Sequence, residues 1–216
     1  MIVNDIVTGI IAIIIAYLLG SIPSAYIAGR ILTGRDIRQI GGGNVGARNT
    51  FYEIGKPAGV AVAIFDIGKG AAAAAIALWL LDVPLYFALA AGLAAVAGHI
   101  RSIFLRFTGG NGLGTTIGVL SVLLTKELLI AIGIILLLII ITRNPVLSTN
   151  ISLLSVPISS WLIEKSWPYV IFSLVLIVML MLHFLPTARA AIASAGSREA
   201  FFAELLRRNK AKDQKT

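Results

Sequence analysis

Ile6-Val7-Thr8-Gly9-Ile10-Ile11-Ala12-Ile13-Ile14-Ile15-Ala16-Tyr17-Leu18-Leu19 is almost wholly apolar, and it runs on through Gly20-Ser21-Ile22-Pro23 to Tyr26. No convincing small-residue cleavage site follows, so the run reads as a retained first membrane helix ending near Ala28, not a removed leader. Crossing a hydrocarbon core takes roughly 20 mostly apolar residues. The rest of the chain repeats the pattern. Of its 216 residues 58% are hydrophobic and only 13% charged, against roughly 25% charged in an ordinary soluble domain. A soluble fold is excluded, and an all-α polytopic membrane protein is expected.

Working outward, a polar loop over 29–56 precedes a second span at 58–81, with Pro57 placed at a helix start. A third span covers 85–98. The apolar region 112–142 is interrupted at Thr125-Lys126-Glu127, giving a short fourth helix, which re-entrant geometry would also explain, and a fifth. A sixth segment at 146–163 is polar for a span, carrying Ser148, Thr149, Asn150, Ser152 and Ser155, and a seventh covers 167–185. The expectation is a single transmembrane domain over 1–186 with about seven transmembrane helices, followed by a basic amphipathic tail at 187–216 that lies on anionic lipid.

The formal charge of +8 is explained by the membrane and not by nucleic acid. Arg30, Arg35, Arg38, Arg48 and Lys56 lie in the first loop, Arg101 and Arg106 in the third, Arg143 in the fifth, and seven more basic residues in the tail. All fall on one side of the seven-span scheme. The other side holds Lys126 and Lys165, each beside a glutamate. The positive-inside rule therefore puts the N-terminus outside, and the C-terminus and the loops 29–56 and 99–112 in the cytoplasm.

Those two loops carry the candidate chemistry. Gly41-Gly42-Gly43-Asn44-Val45-Gly46-Ala47-Arg48-Asn49 and Gly109-Gly110-Asn111-Gly112-Leu113-Gly114-Thr115-Thr116 offer backbone N–H groups with little side-chain bulk. Such loops make anion nests, and a helix start behind them adds a positive dipole end. With Arg38, Arg48, Arg101 and Arg106 alongside, the two loops are expected to hold phosphate groups jointly. Asn44 and Asn49 also suit plain turns, and Gly20 and Ser21 suit close helix packing as well as function. Asp66 and Lys69 share a helix face inside an apolar span, where charge is expensive unless paired. They are either a functional pair or a structural one. His99 ends a span beside the second loop, as an interfacial imidazole, a phosphate ligand or a proton carrier. His183 in its apolar span suits packing. The chain has no cysteine, which removes disulfides, thiolate metal sites and a thiol nucleophile.

Gly20-Ser21-Ile22-Pro23, Asp36-Ile37-Arg38, Gly41 through Asn49, Asp66-Ile67-Gly68-Lys69-Gly70, Gly98-His99, and Phe107-Thr108-Gly109-Gly110-Asn111-Gly112 with Thr115 resemble, in order and spacing, the bacterial acyl-phosphate-dependent glycerol-3-phosphate acyltransferases. The resemblance covers the first part of the chain, to about residue 120. It implies a seven-helix enzyme of the bacterial inner membrane with its active site facing the cytoplasm. That enzyme moves a fatty acyl group from acyl phosphate to glycerol 3-phosphate, giving lysophosphatidic acid and phosphate, with no metal, cofactor or obligate protein partner. Carried over by position, Ser21, Arg38, Asn44, Lys69 and His99 become catalytic. Gly41, Gly42, Gly43, Gly46, Asn49, Asp66, Arg101, Gly109, Gly110, Asn111, Gly112, Thr115 and His183 become substrate-binding.

The chain departs from the family pattern where Gly42 replaces a serine, Asn111 a lysine, and Arg101-Ser102 a Phe-Pro pair. The motif after Arg143 is only loosely echoed by Leu147, Ser148 and Thr149, and Pro186 stands where an asparagine follows the histidine. Losing the lysine and the asparagine removes two phosphate contacts, one of which Arg101 is placed to replace. An altered acceptor or weakened activity would follow from these changes.

An acyl phosphate is a mixed anhydride with a good leaving group, so positioning and preorganised donors can supply most of the barrier reduction. The loop N–H groups, Arg38, Asn44 and Lys69 suit that work. For the proton of the attacking hydroxyl, His99, Asp66 and a substrate phosphate oxygen all remain open. A His-x-x-x-x-Asp pair is absent, since Phe104 and Ala188 stand five residues after the two histidines. A Ser21 acyl-enzyme has no neighbouring base in sequence, which favours direct transfer. The competing classes are a transporter of a phosphorylated or other anionic solute and a non-catalytic relative that binds lipid phosphate or a partner protein.

Overall fold

The structure, a computed structural model, describes residues 2–194, and its named elements there are all helical. Helix α1 spans Ile2–Ser21 and α2 spans Ser24–Thr33. The first run is thus two helices and extends past the expected end near residue 28. Pro23 has no N–H to return to α1, so the helix stops before it and restarts with Ile27 N on the Pro23 carbonyl at 3.0 Å. Gly34, with φ of 68°, ends α2 in the left-handed conformation that glycine adopts freely.

The loop expected over 29–56 holds a 3-10 turn at Ile37–Gln39 and the helix α3, Ala47–Glu53. Helix α4 covers Lys56–Ala75 and winds on as a π-helical turn at Ile76–Leu80. Helix α5 covers Leu85–Ile100, a second 3-10 turn Ile103–Leu105, and α6 Leu113–Leu123. The remaining helices are α7 at Thr125–Thr142, α8 at Pro145–Leu153, α9 at Ser155–Glu164 and α10 at Trp167–Ser194. The polar sixth segment is therefore two helices meeting at Leu154, and the last helix runs on beyond residue 185. The basic tail from 195 onward lies outside the described residues.

Among the described residues, four stretches are long and apolar enough to cross a membrane: Val3–Thr33 taken through its break, Lys56–Leu80, Thr125–Thr142 and Trp167–Leu185. Helices α5 and α6 are apolar but shorter.

The chain divides into two units, Met1–Leu128 and Leu129–Thr216. In the first, helix contacts depend on missing side chains. A Cβ on Gly20 would overlap the Ala95 carbonyl, and one on Gly98 the Tyr17 carbonyl. Gly70 lies against the Thr115 carbonyl, and Gly118 against that of Ile67, in the same way. Lipid gives apolar helices no hydrophobic reason to associate, so this close backbone approach and the dispersion it allows hold them. The pairings also set direction. Gly9 meets Phe87 while Gly20 meets Ala95, so α1 and α5 run parallel; Gly114 meets Asp66 while Gly118 meets Ile67 and Ala71, so α4 and α6 do too.

At the end of this unit where α1 breaks, Ala25, Ile37, Val45, Val62 and Leu105 form a buried cluster that ties α2, both loops and α4 together. In the second unit, Asn144 caps α8 by accepting from Leu147 N at 3.1 Å, as an N-cap amide should. There α9 packs against α10, with the Trp161 and Trp167 rings 4.7 Å apart.

Candidate active site

The break in α1 is the structural origin of the site. It opens a small cleft lined by Ser21 and Ser24 on either side of Pro23, by Lys69 of α4, by His99 and Ser102 at the end of α5, and by Gly109. Val45 of the first glycine loop lines it as well, so both loops reach one cleft.

The polar centre is Asp66. Its Oδ1 accepts from Ser24 Oγ at 2.7 Å, pairs with Lys69 Nζ at 2.8 Å, and lies 3.5 Å from His99 Nδ1. Asp66, Lys69 and His99 are all buried. Lys69 also donates to the Ile22 carbonyl at 2.8 Å, which accepts from Ser24 N at 3.1 Å as well. The i,i+3 spacing read from the sequence puts the two charges together; the serine and the histidine come from other helices. Beside this cluster, Ser21 Oγ is buried without a hydrogen-bond partner.

The second loop folds onto His99. Gly110 N donates to the His99 carbonyl at 3.1 Å. A Cβ on Gly109 would overlap that carbonyl, and one on Gly110 would overlap His99 Nε2 and the Val45 carbonyl. Glycine is required at both positions because three backbone segments meet there. Gly112 precedes α6 with φ of 84°, Asn111 is half-buried, and Thr115 Oγ1 is buried and unpartnered where α6 packs on α4. Arg101 is exposed, with Nη1 3.4 Å from the Phe107 carbonyl, and its own carbonyl accepts from Tyr17 OH at 2.8 Å.

The first loop has a different internal logic. Asn49 braces it: Nδ2 donates to the carbonyls of Ile37 and Ile40 at 3.2 and 3.1 Å, and Oδ1 accepts from Gly42 N at 3.0 Å. Its amide is engaged in shaping the loop. Gly41 and Gly43 turn with φ of 57° and 68°, Gly46 starts α3, and half-buried Asn44 sets its amide beside Gly46. Arg38 is not among the cleft-lining residues. Its Nε and Nη2 clasp Asp36 at 3.0 and 2.7 Å, with the guanidinium 5.2 Å over the Tyr26 ring. Arg30 sits over the same ring at 5.3 Å. His183 belongs to α10 of the second unit, edge-on to Phe184 at 5.9 Å.

The Arg38 clasp has a pH signature. The side-chain hydrogen bonds from Arg38 outweigh burial and hold the Asp36 carboxyl at about 2, down from the usual 3.8, while Asp36 raises the Arg38 guanidinium in turn. A carboxyl lowered on folding contributes stability above its unfolded value and loses it as pH falls through the folded one. The thermal midpoint of the unaltered protein should therefore exceed that of Asp36→Asn by a constant margin between about pH 5 and 7. The margin should shrink between about pH 4 and pH 2. A margin that shrinks instead near pH 6 would assign the effect to another group.

Two residues of the site carry no motif signal. Ser24 was hidden because its partner is a carboxylate 42 positions away, and Ser102 because it reaches a carbonyl 81 positions away. Only the proximity of Ser24 to Pro23 hinted at a break to be sealed. Among the described residues no group of three His, Asp or Glu side chains is arranged to hold a metal ion.

A family model for glycerol-3-phosphate acyltransferase matches residues 10–193. Glycerol-3-phosphate acyltransferase 2 of Dehalococcoides mccartyi strain 195 is 41% identical over 197 residues, which covers 91% of this chain and 93% of the relative. The glycerol-3-phosphate acyltransferase of Thermosynechococcus vestitus is 35% identical over 179 residues, covering 79% and 84%. Among solved structures, the fold is similar to that of PlsY (YgiH), an integral membrane glycerol 3-phosphate acyltransferase. Its glycerol 3-phosphate form aligns with a TM-score of 0.74 at 26% identity, over 86% of this chain and 92% of that one. Its lysophosphatidic acid form aligns at 0.73 and 25%, with the same coverage.

Proposed function

The chain belongs to the glycerol-3-phosphate acyltransferase family, and from that premise we propose that it transfers a fatty acyl group from acyl phosphate to sn-glycerol 3-phosphate. The products are 1-acylglycerol 3-phosphate, for phospholipid synthesis, and inorganic phosphate. The observation that carries the reading is the buried Lys69–Asp66–His99 cluster at the mouth of a broken helix, with both glycine loops on the same cleft. A buried cation, bare peptide N–H groups and a hydroxyl without a partner form a receptor for oxyanions.

The acceptor hydroxyl oxygen attacks the acyl carbon, a C–O bond to it forms, and the bond from that carbon to the phosphate oxygen breaks. Lys69, Ser21 and the loop N–H groups hold the phosphate groups and the developing charge. Asp66 already serves Ser24 and Lys69, so its task is to fix them. With a proton on Nδ1 facing Asp66, His99 offers Nε2 toward Gly110. The hydroxyl proton passes to that nitrogen or to a phosphate oxygen of the donor. Arg38, Asn44, Gly41, Gly42, Gly43 and Gly46 form the rim that a second phosphate meets, and Asn49 keeps that rim in shape.

The membrane arrangement is proposed as seven crossings in a bacterial inner membrane, with the N-terminus outside and the cleft on the cytoplasmic side. The parallel pairs α1 with α5 and α4 with α6 support it, since alternation across the bilayer requires those pairs to share a direction. The arginines around the cleft support the same orientation.

Purified protein in detergent should release phosphate only when acyl phosphate and glycerol 3-phosphate are both present. Release without the acceptor, or none at all together with solute uptake in proteoliposomes, would favour hydrolysis or transport instead. Exposed Arg101, ten residues before Asn111 in the same loop, is proposed as a contact for one substrate phosphate. Arg101→Ala should raise the KM of one phosphate substrate about fivefold, a loss of ~1 kcal/mol. Unchanged KM for both would remove Arg101 from the site.

A further inference from the structure

The backbone leaves the helical path at Ile22 and Pro23, so the carbonyls of Ser21 and Ile22 have no donor four residues on. Two side chains from distant segments take them. Lys69 Nζ donates to the Ile22 carbonyl at 2.8 Å, and Ser102 Oγ donates to the Ser21 carbonyl at 2.5 Å. Lys69 belongs to the charged cluster. Ser102 does not, and it is 2% exposed.

Its backbone closes a small hairpin. Ser102 N donates to the Thr108 carbonyl at 3.2 Å, and its own carbonyl accepts from Leu105 N at 3.1 Å and Phe107 N at 2.8 Å. One residue thus joins the last turn of α1 to the hairpin that delivers Gly109 to the cleft. That hairpin is held in an uncommon shape, with Arg106 and Phe107 both left-handed at φ of 55° and 60°. Leu105 is buried in the cluster below, while Ile103, Phe104 and Phe107 are exposed.

We propose that Ser102 is a positioning residue for Ser21: its hydroxyl fixes the Ser21 peptide so that the buried, unpartnered Ser21 Oγ is presented to a substrate phosphate in the cleft. The inference rests on the phosphate-holding role proposed for that cleft. It follows from what the carbonyl does without Ser102. A buried acceptor left unmet is costly, so the Ser21 peptide turns toward another donor and carries the Ser21 side chain with it. Bulk alone does not replace the hydroxyl, because the group being met is an acceptor.

Calorimetric titration of glycerol 3-phosphate into the purified full chain, alongside phosphate-release kinetics, tests this with Ser102→Ala, Ser102→Thr and Ser102→Cys. Ser102→Ala should raise the Kd and KM for glycerol 3-phosphate about fivefold and change kcat less than twofold, the pattern of lost ground-state binding. Ser102→Thr, which keeps the hydroxyl, should stay within about twofold of the unaltered Kd. A Kd for Ser102→Ala within that margin overturns the proposal. So does an equal loss in Ser102→Ala and Ser102→Thr, which assigns Ser102 to packing. Should Ser102→Ala not fold in detergent, Ser102→Cys decides, since its S–H is a weak donor of similar bulk: a weakened Kd supports the proposal and an unaltered one overturns it. Binding without turnover in the unaltered protein defeats acyl transfer yet leaves the Ser102 comparison readable through Kd. Absence of binding defeats both.

Discussion

Lys69→Ala is expected to give an inserted, folded protein that releases phosphate about 10²–10³-fold more slowly than the unaltered chain. Lys69 is a buried cation lining the cleft, its ammonium fixed from two sides by Asp66 Oδ1 and the Ile22 carbonyl, each at 2.8 Å. On the proposed reading that clamp preorganises it to meet charge developing in the transition state without moving. The substitution costs stability, since it strands the buried Asp66 carboxylate, but less than a bare charge would, because Asp66 keeps Ser24 Oγ at 2.7 Å and His99 at 3.5 Å. Elution as a single species in detergent checks the fold, and initial rates check the chemistry. Turnover within about threefold of the unaltered chain would make Lys69 a structural cation only.

Asp66→Ala is expected to strike stability first. It leaves Lys69, 6% exposed, with a neutral carbonyl in place of a carboxylate, and stranding one partner of a buried pair costs about 3–5 kcal/mol. In a chain of this size that lowers the thermal midpoint by roughly 10 °C. The double substitution Asp66→Ala with Lys69→Ala should recover part of the loss, because the stranded charge goes with its partner. A double variant no more stable than Asp66→Ala would mean that Asp66 acts through Ser24 and His99 and not through the lysine.

The membrane character was legible in the apolar runs, and so was the Asp66–Lys69 pair, because an i,i+3 spacing on one helix fixes geometry locally. Pro23 signalled a break, but the run was assigned to a single helix because its composition does not change across the proline. The helix break at Leu154 does have a local signal, Pro157, which has no N–H for the Leu153 carbonyl and sits in the first turn of the next helix. The two glycine loops stood out by a composition unusual for a membrane chain, and both reach one cleft. The division of labour inside them was not legible. Asn49 has the residue type of a phosphate ligand, and only its three hydrogen bonds to the loop backbone identify it as a brace. Asp36 and Arg38 were legible as a loop pair, but not that the carboxylate clasps the guanidinium with two hydrogen bonds. Ser24 and Ser102 work through partners far away in sequence, a relation that no spacing reports.

The cleft beneath the broken first helix is proposed as the receptor for substrate phosphate. Titration of glycerol 3-phosphate into the unaltered protein and into Lys69→Ala, in the absence of acyl donor, tests that receptor without reference to turnover. Saturable binding that weakens about tenfold or more when Lys69 is removed, the equivalent of ~1.4 kcal/mol, is the predicted result. Equal affinity in the two proteins would contradict it and move the substrate site elsewhere.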